Sequence, residues 1–402
     1  MLTRLCNQRY AAISTDLKAS TALLTVAQIL PEMHSGGVER GTLEVADALV
    51  AAGHRSLVIS GGGRLVEQLE RDGTKHITMP VGRKSLWTLG LIHKLRRLLV
   101  DEGVDVLHAR SRVPAWLSQL AMRRMPQRPQ FITTVHGFYS VNRFSQIMTS
   151  GDQVVCVSGS VREYVTENYP EIDESKLTVI HRGVDPDQYH FDYRAPFEWE
   201  REFRDELSLG NRPLVILAGR LTRLKGHHDF LGIMERLKNM GSDAVGVIVG
   251  GEDPRRATYA NEIKVAACSC DNVVLTGHRT DLREIMSVSS AVVSLSQKPE
   301  SFGRTVLEAL ALGSPVVGYD HGGVSEIMAQ LFPRGAVPVG DLDQAADALA
   351  HILTRDAPNE IAKLSTRFTL GSMCSSLLRI YVGVGSGNPS RIQGQERLGR
   401  SA

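Results

Sequence analysis

The chain has 402 residues, 46 Lys and Arg against 44 Asp and Glu, a formal net charge of +2, and 42% hydrophobic and 22% charged residues. That length exceeds one ordinary core and predicts two domains of a soluble globular chain. No apolar run approaches the roughly 18 residues needed to cross a bilayer, and the five cysteines, Cys6, Cys156, Cys268, Cys270 and Cys374, supply neither a disulfide framework nor a zinc spacing.

Residues 1–21 read as a disordered tail without the apolar stretch of a signal peptide, so a reducing, cytoplasmic setting is expected. Leu23 to Leu30 reads as a first buried strand, and Gly36 and Gly37 sit in the turn before a helix carrying Leu43, Val45, Ala46, Leu49 and Val50. With the strand Leu57-Val58-Ile59 this makes a βαβ unit. The paired glycines either let backbone approach a phosphate or sugar, or serve only sterics; the match to G-x-G-x-x-G is poor. Glu67 to Arg71 and Thr88 to Val100 read as helices. The second places Leu89, Ile92, Leu95 and Leu99 on one face and His93, Lys94, Arg96 and Arg97 on the other, which fits core packing with a solvated face or peripheral docking on a membrane.

Val104 to His108 is another strand, and Arg110 and Arg112 follow its C-terminal end, where open α/β sheets bind ligands. They suit an acceptor phosphate or an ordinary surface salt bridge. Phe131 to Val135 leads directly into His136, placed either to meet a substrate or to cap a strand end. Two further strands, 153–158 and 177–180, precede the exit turn Arg182-Gly183-Val184-Asp185. Residues 186–212 read as a crossing linker with one short helix. From Arg55 to Ser150 there are fifteen Lys/Arg against six Asp/Glu, a surplus that fits anionic lipid head groups, an anionic acceptor, or plain solvation.

The second half opens on the strand Pro213 to Ala218, followed by Arg220 and Lys225, whose guanidinium and ammonium suit a diphosphate or an ordinary solvated loop. Val245 to Val249 ends in Gly250-Gly251, and Val273-Val274-Leu275 ends in Gly277-His278-Arg279, whose backbone could hold a nucleobase edge. Ala291 to Ser296 is a buried strand. Glu300-Ser301-Phe302-Gly303-Arg304-Thr305 follows, and then a helix containing Glu308, stopped by Gly313 and Pro315. Residues eight apart lie roughly 80° apart on a helix, so the loop must bend for Glu300 and Glu308 to share a ligand. Backbone N–H groups at 303–305 point at anything held there, with the positive end of the helix dipole behind them. Acids that accept from sugar hydroxyls beside a phosphate site suggest a sugar nucleotide. Val316 to Tyr319 with Gly322-Gly323 repeats the strand and glycine turn. Helices at 343–353 and 368–381 finish the chain before a polar tail.

This order predicts an α/β chain of two Rossmann-like parallel-sheet domains facing across a cleft. The expected division is 22–190, with the helix 368–383 packing back on it, and 191–367, with tails at 1–21 and 384–402; short hinges near 185–212 and 365–370 would let the cleft close.

Gly36-Gly37-Val38-Glu39-Arg40, the R-x4-K pair Arg220 and Lys225, and the E-x7-E element from Glu300 to Glu308 resemble the retaining family 4 glycosyltransferases of the GT-B fold, over roughly residues 22–383. His108 to Arg112 and Val179 to Asp185 look like the subgroup that builds lipopolysaccharide cores. The resemblance implies a nucleoside diphosphate sugar as co-substrate, no other cofactor, and no nucleic acid partner. It implies a saccharide or lipid-linked acceptor, anionic in the fuller expectation, and work at the inner face of the cytoplasmic membrane. It also implies roles. Glu300 binds the donor sugar near its anomeric carbon, and His136 contacts that sugar and supports the charge building on its ring. Glu308 takes the ribose, Arg220 and Lys225 neutralise the departing diphosphate, and Gly37 offers its backbone N–H, with Gly277 and Arg279 by the base. Ser301, Phe302, Gly303, Arg304 and Thr305 line the donor site, and Arg110 and Arg112 meet the acceptor.

Preplaced cations and helix dipoles can stabilise a diphosphate leaving group without a metal. Asp185-Pro186-Asp187 and Asp341-Leu342-Asp343 spell D-x-D, but one lies at a domain exit and the other at a surface helix start, so neither is expected to bind metal. The alternatives are a hydrolase using Glu300 and Glu308, a sugar-nucleotide epimerase, and a non-catalytic binding protein. A dehydrogenase fits worst, because the strict dinucleotide fingerprint is missing.

Overall fold

The structure, a computed structural model, describes residues 23–34, 36–82, 88–252, 257–354 and 360–385. It divides into two compact units, Met1–Arg182 with Leu370–Ala402, and Gly183–Thr369. The expected tails, 1–21 and the part of 384–402 beyond Gly385, lie outside the described residues.

The first unit carries seven strands: β1 (Thr25–Ile29), β2 (Arg55–Ser60), β3 (Lys75–Thr78), β4 (Val106–Ala109), β5 (Gln130–Val135), β6 (Gln153–Cys156) and β7 (Leu177–Val179). They form one parallel sheet in the order β3-β2-β1-β4-β5-β6-β7. The helices between them are α1 (Gly37–Ala51), α2 (Val66–Arg71), α3 (Thr88–Asp101), α4 (Arg112–Met122), α5 (Arg143–Gln146) and α6 (Gly159–Asn168). In the second unit β8 (Leu214–Ala218), β9 (Val245–Val249), β10 (Val273–Gly277), β11 (Ala291–Ser294), β12 (Val316–Tyr319) and β13 (Ala336–Val337) form a parallel sheet ordered β10-β9-β8-β11-β12-β13. Its helices are α7 (Phe197–Glu206), α8 (His227–Asn239), α9 (Ala257–Cys268), α10 (Leu282–Ser287), α11 (Arg304–Ala311), α12 (Gly322–Leu331) and α13 (Leu342–Thr354). The last helix, α14 (Leu370–Gly385), belongs to the first unit.

Sequence pattern explains these elements. β8 and β9 read LVILA and VGVIV and are buried at every position, as strands covered by helices on both faces must be. α13 buries Ala345, Ala346, Leu349 and Ile352, one stripe at helical spacing. α14 lays Met373, Leu377, Leu378 and Tyr381 against Val26, Val45, Leu49, Val106 and Ile132 of the first sheet and α1. Each such leucine contributes about 1.5–3 kcal/mol through burial. That contact gathers the C-terminal segment into the N-terminal unit.

Strand order places the switch points of the two sheets. In a parallel sheet, the crevice forms where successive crossovers leave in opposite directions. That point lies between β1 and β4 in the first sheet and between β8 and β11 in the second. The segments after those strands are the glycine turn at 36–37, Arg110, the turn 219–226 and the loop 295–303.

Candidate active site

At the switch point of the second sheet, Lys225 and Glu300 meet. Lys225 Nζ donates to Glu300 Oε1 at 2.6 Å, and Ser296 Oγ donates to the same oxygen. His321 Nε2 lies 2.8 Å from the Ser296 carbonyl, which only accepts, so Nε2 carries the proton and holds the end of β11 in place. Burial acts to raise the Glu300 pKa, but the Lys225 charge, the hydrogen bonds from Lys225 and Ser296, and His321 outweigh it; the carboxyl sits below its ordinary value of 4.5. The group is therefore an anion at neutral pH. A small cavity beside it is lined by Ala218, Lys225, Ser294, Ser296, Glu300 and Thr305.

Backbone shape brings these groups together. Gly226 has φ +69°, and a Cβ there would lie 2.0 Å from the Leu295 carbonyl oxygen, so only glycine lets the turn after β8 press onto the end of β11. Gly303, the N-cap of α11, has φ +94° and leaves no room for a Cβ beside Val324. The loop 299–303 also packs backbone to backbone on the first turn of α12, where Gly323 N donates to the Glu300 carbonyl at 2.8 Å.

The other residues expected in the donor site separate into two groups. Arg220 is exposed at the end of β8, and Thr305 and Ser301 are half-buried beside the loop. Glu308 is buried in α11 and accepts from Arg304 Nε at 3.1 Å, one turn earlier. Gly277 has φ +71°, and its carbonyl accepts from Gly250 N at 2.9 Å, so the ends of β9 and β10 present bare backbone. Two further side chains of this set are engaged within the unit. Phe302 is buried and packs with Phe368 in the core, because the tight turn at Gly303 folds its ring inward. The Arg279 guanidinium is engaged by Asp281 at 2.9 and 2.6 Å and Glu206 at 3.0 and 3.1 Å, and lies over the Phe203 ring. Arg279 thus ties α7 to the start of α10. A cavity of about 650 Å³ wraps the edge strand β10 and reaches Leu221, Gly250 and Gly277 but not Glu300.

In the first unit Gly36 and Gly37 are exposed at the start of α1. A Cβ on Gly37 would meet nothing within 4 Å among the described residues, so packing does not require glycine there. His136 stands at the end of β5 with Nδ1 2.6 Å from Arg182 Nη2. Burial, followed by the charges of Arg182 and Arg110 and by His108, holds its pKa well below 6.5.

Arg110, expected to meet the acceptor, is buried and 1% exposed. Its charge is eased by the nearby Tyr381 hydroxyl of α14, while its Nε and Nη2 bond to no described residue. The same Tyr381 oxygen lies 2.7 Å from His108 Nδ1, and His108 Nε2 lies 2.6 Å from Thr134 Oγ1. One chain of hydrogen bonds through His108 thus links β4, β5 and α14. His108 anchors the C-terminal helix. Arg112 stacks 4.7 Å over the Tyr139 ring and donates to Ser145, which makes it part of a folded aromatic loop. On α3, His93, Lys94 and Arg97 are exposed, but Arg96 turns back to donate to the Ala121 carbonyl of α4.

The D-x-D aspartates have structural work. Asp185 accepts from Asp187 N and Gln188 Nε2, forming the exit turn, and Asp341 accepts from Gln344 N at the start of α13. Arg182, Ser296, His321 and Tyr381 were not singled out by sequence reasoning. Only Arg182 carried a signal, an arginine at a strand exit.

Comparison with known proteins gives these features a family. Residues 35–188 match the family model described as Glycosyltransferase Family 4, and residues 199–368 match Glycosyl transferases group 1. Spore coat protein SA of Bacillus subtilis is 25% identical over 323 residues, 77% of this chain and 83% of that protein. A glycosyltransferase from Rickettsia africae superposes with a TM-score of 0.76 at 28% identity, covering 90% of this chain and 98% of the other. Anabaena HepE, crystallised with UDP and glucose, superposes at 0.70 with 18% identity, covering 90% and 98%, a likeness of fold. The chain belongs to the glycosyltransferases of the GT-B fold, family 4 in its N-terminal half and group 1 in its C-terminal half.

Proposed function

We propose that the chain transfers a sugar, with retention of anomeric configuration and without a metal, from a nucleoside diphosphate sugar to a saccharide or lipid-linked acceptor in lipopolysaccharide core or other cell-envelope glycan synthesis. The observation that carries this reading is the Lys225–Glu300 pair at the switch point of the second sheet. An anionic carboxylate held by an ammonium provides an acceptor for sugar hydroxyls next to a cation for a leaving phosphate. Lys225 has three donors and spends one on Glu300. Arg220, exposed at the adjoining strand end, adds a second cation, and the N-terminus of α11 adds backbone dipole.

In the proposed step the bond from the anomeric carbon to the diphosphate oxygen breaks and its electron pair leaves with the diphosphate. The acceptor hydroxyl oxygen bonds to that carbon on the same face, and its proton passes to the departing phosphate oxygen. Glu300 orients the sugar, Glu308 takes the ribose, His136 contacts the sugar, and Lys225 with Arg220 stabilises the diphosphate. The HepE crystal complex with UDP and glucose supports a donor of this class. The exposed His93, Lys94 and Arg97 on α3 support contact with anionic head groups. No helix among the described residues is long and apolar enough to cross a membrane.

A thermal-shift screen of nucleoside diphosphate sugars tests the reading, since a ligand that binds only the folded chain raises its melting temperature by mass action. The donor so identified should give a new glycosidic bond only with acceptor present. Free sugar released from simple glycosides, or an epimerised donor formed without acceptor, contradicts it.

A further inference from the structure

Arg182 leaves the sheet just after β7 and its guanidinium is fixed from three sides. Nη2 lies 2.6 Å from His136 Nδ1. Nη1 lies 4.0 Å from Met373 Sδ on α14. On the third side is Gly41 of α1, where a Cβ would come within 2.7 Å of Nη1. Any larger residue at position 41 would push the guanidinium off its seat.

A guanidinium only donates hydrogen bonds. Its partner nitrogen on His136 must therefore accept, and an imidazole that accepts at Nδ1 carries its proton at Nε2. Protonating Nδ1 would set two N–H groups head to head and place two cations in contact. The other charged and titratable groups near the ring do not favour a charged imidazole. Arg110 at the end of β4 adds a second positive charge, and His108 acts in the same direction. The Tyr139 hydroxyl is occupied by the His136 backbone N–H at 3.2 Å. His136 Nε2 is buried and bonds to no described residue. The ring thus holds a donor, oriented and uncharged, with its bonding capacity unspent.

We propose that Arg182 is a positioning residue that locks His136 as the neutral Nε2–H tautomer, so that the ring offers a hydrogen-bond donor to a hydroxyl oxygen of the donor sugar and neither takes the acceptor's proton nor brings a positive charge. The inference rests on the function proposed above and deepens it. With His136 excluded as general base, the acceptor's proton has its route to the departing phosphate. A neutral ring also adds no repulsion as positive charge builds on the sugar.

The test is two-bond ¹H–¹⁵N correlation NMR of the full chain labelled in histidine, with His136 assigned from a His136→Asn variant. In the wild type the His136 signal should show protonated Nε2 and bare Nδ1, and it should not titrate through the ordinary histidine range near pH 6.5. Arg182→Met, which keeps length but removes donor and charge, should mix the tautomers and bring the ring into that range. It should lower kcat about tenfold, less than the roughly 100-fold cost of deleting a preorganised donor, with little change in the donor KM. Arg182→Gln restores an uncharged N–H and should recover the Nε2–H tautomer and part of the lost kcat. Should Arg182→Met not fold, the wild-type spectrum and Arg182→Gln decide the matter. A wild-type ring protonated at Nδ1, a ring titrating near pH 6.5, or tautomers unchanged in Arg182→Met would overturn the proposal. The spectrum is read without substrate, so a locked ring in a chain that transfers no sugar overturns the functional reading and leaves the lock standing.

Discussion

Replacing Lys225 by Met removes the ammonium from Glu300 and keeps most of the side-chain volume. The two side chains are 31% and 23% exposed. Breaking a fully buried pair costs about 3–5 kcal/mol, and an exposed one is worth about 0–1 kcal/mol. Partial exposure, with Ser296 still donating, puts the loss at about 2 kcal/mol. At about 2–4 °C per kcal/mol for a domain of this size, the melting temperature should fall about 4–8 °C. The effect has a pH signature. In the wild type the Glu300 pKa lies below 4.5, so the pair's contribution is complete above that value and fades as pH falls through the lower folded pKa. In Lys225→Met the desolvation of Glu300 loses its main counterweight, and the carboxyl pKa rises. The variant's penalty is then largest at neutral pH and shrinks as the carboxyl takes its proton. Urea unfolding of wild type, Lys225→Met, Glu300→Gln and the double variant at pH 7 and near pH 4 measures the coupling, expected at about 1–2 kcal/mol. An unchanged midpoint at pH 7, or a gap that stays constant on acidification, would refute the pairing as the source of the stability.

Tyr381→Phe should lower stability by about 1–3 kcal/mol, because it leaves the buried His108 Nδ1 without its partner oxygen; a urea midpoint equal to wild type would contradict the anchoring of α14. Arg279→Met should cost about 1 kcal/mol by opening the bridge to Asp281 and Glu206 while leaving nucleotide affinity unchanged. An affinity loss of tenfold or more in calorimetric titration would return Arg279 to the donor site. Dialysis against a chelator should leave transfer unchanged; activity lost and then restored by a divalent ion would contradict cationic side chains as the diphosphate's counter-charge.

The elements of both sheets were legible because buried parallel strands are near-continuous apolar runs, as at β8 and β9, and because glycine turns punctuate them. Lys225 and Glu300 were legible as polar residues just beyond such strands, but not as partners, since nothing local announces that β8 and β11 are neighbours. The burial of Arg110 was not legible in the same way. A residue past a strand end looks exposed, and the Tyr381 hydroxyl beside it belongs to α14, 271 positions later. The ion pairs of Arg279 were not legible for a related reason: its acids, Glu206 and Asp281, sit on either side of it in sequence and converge only through α7. Phe302 lies inside a polar loop, so its inward turn follows from the backbone at Gly303 and not from its neighbours. Arg182 was passed over as part of a domain exit, and its link to His136 is a tertiary contact across 46 positions.

The most direct measurement follows the donor found by thermal shift through one reaction, monitoring nucleoside diphosphate release and glycosidic bond formation by ³¹P and ¹H NMR for wild type and Glu300→Gln. The expected result is one diphosphate released per bond formed by the wild type, and a Glu300→Gln variant that still melts cooperatively and binds the donor but loses most turnover. Wild-type turnover by Glu300→Gln would contradict the assignment of the site.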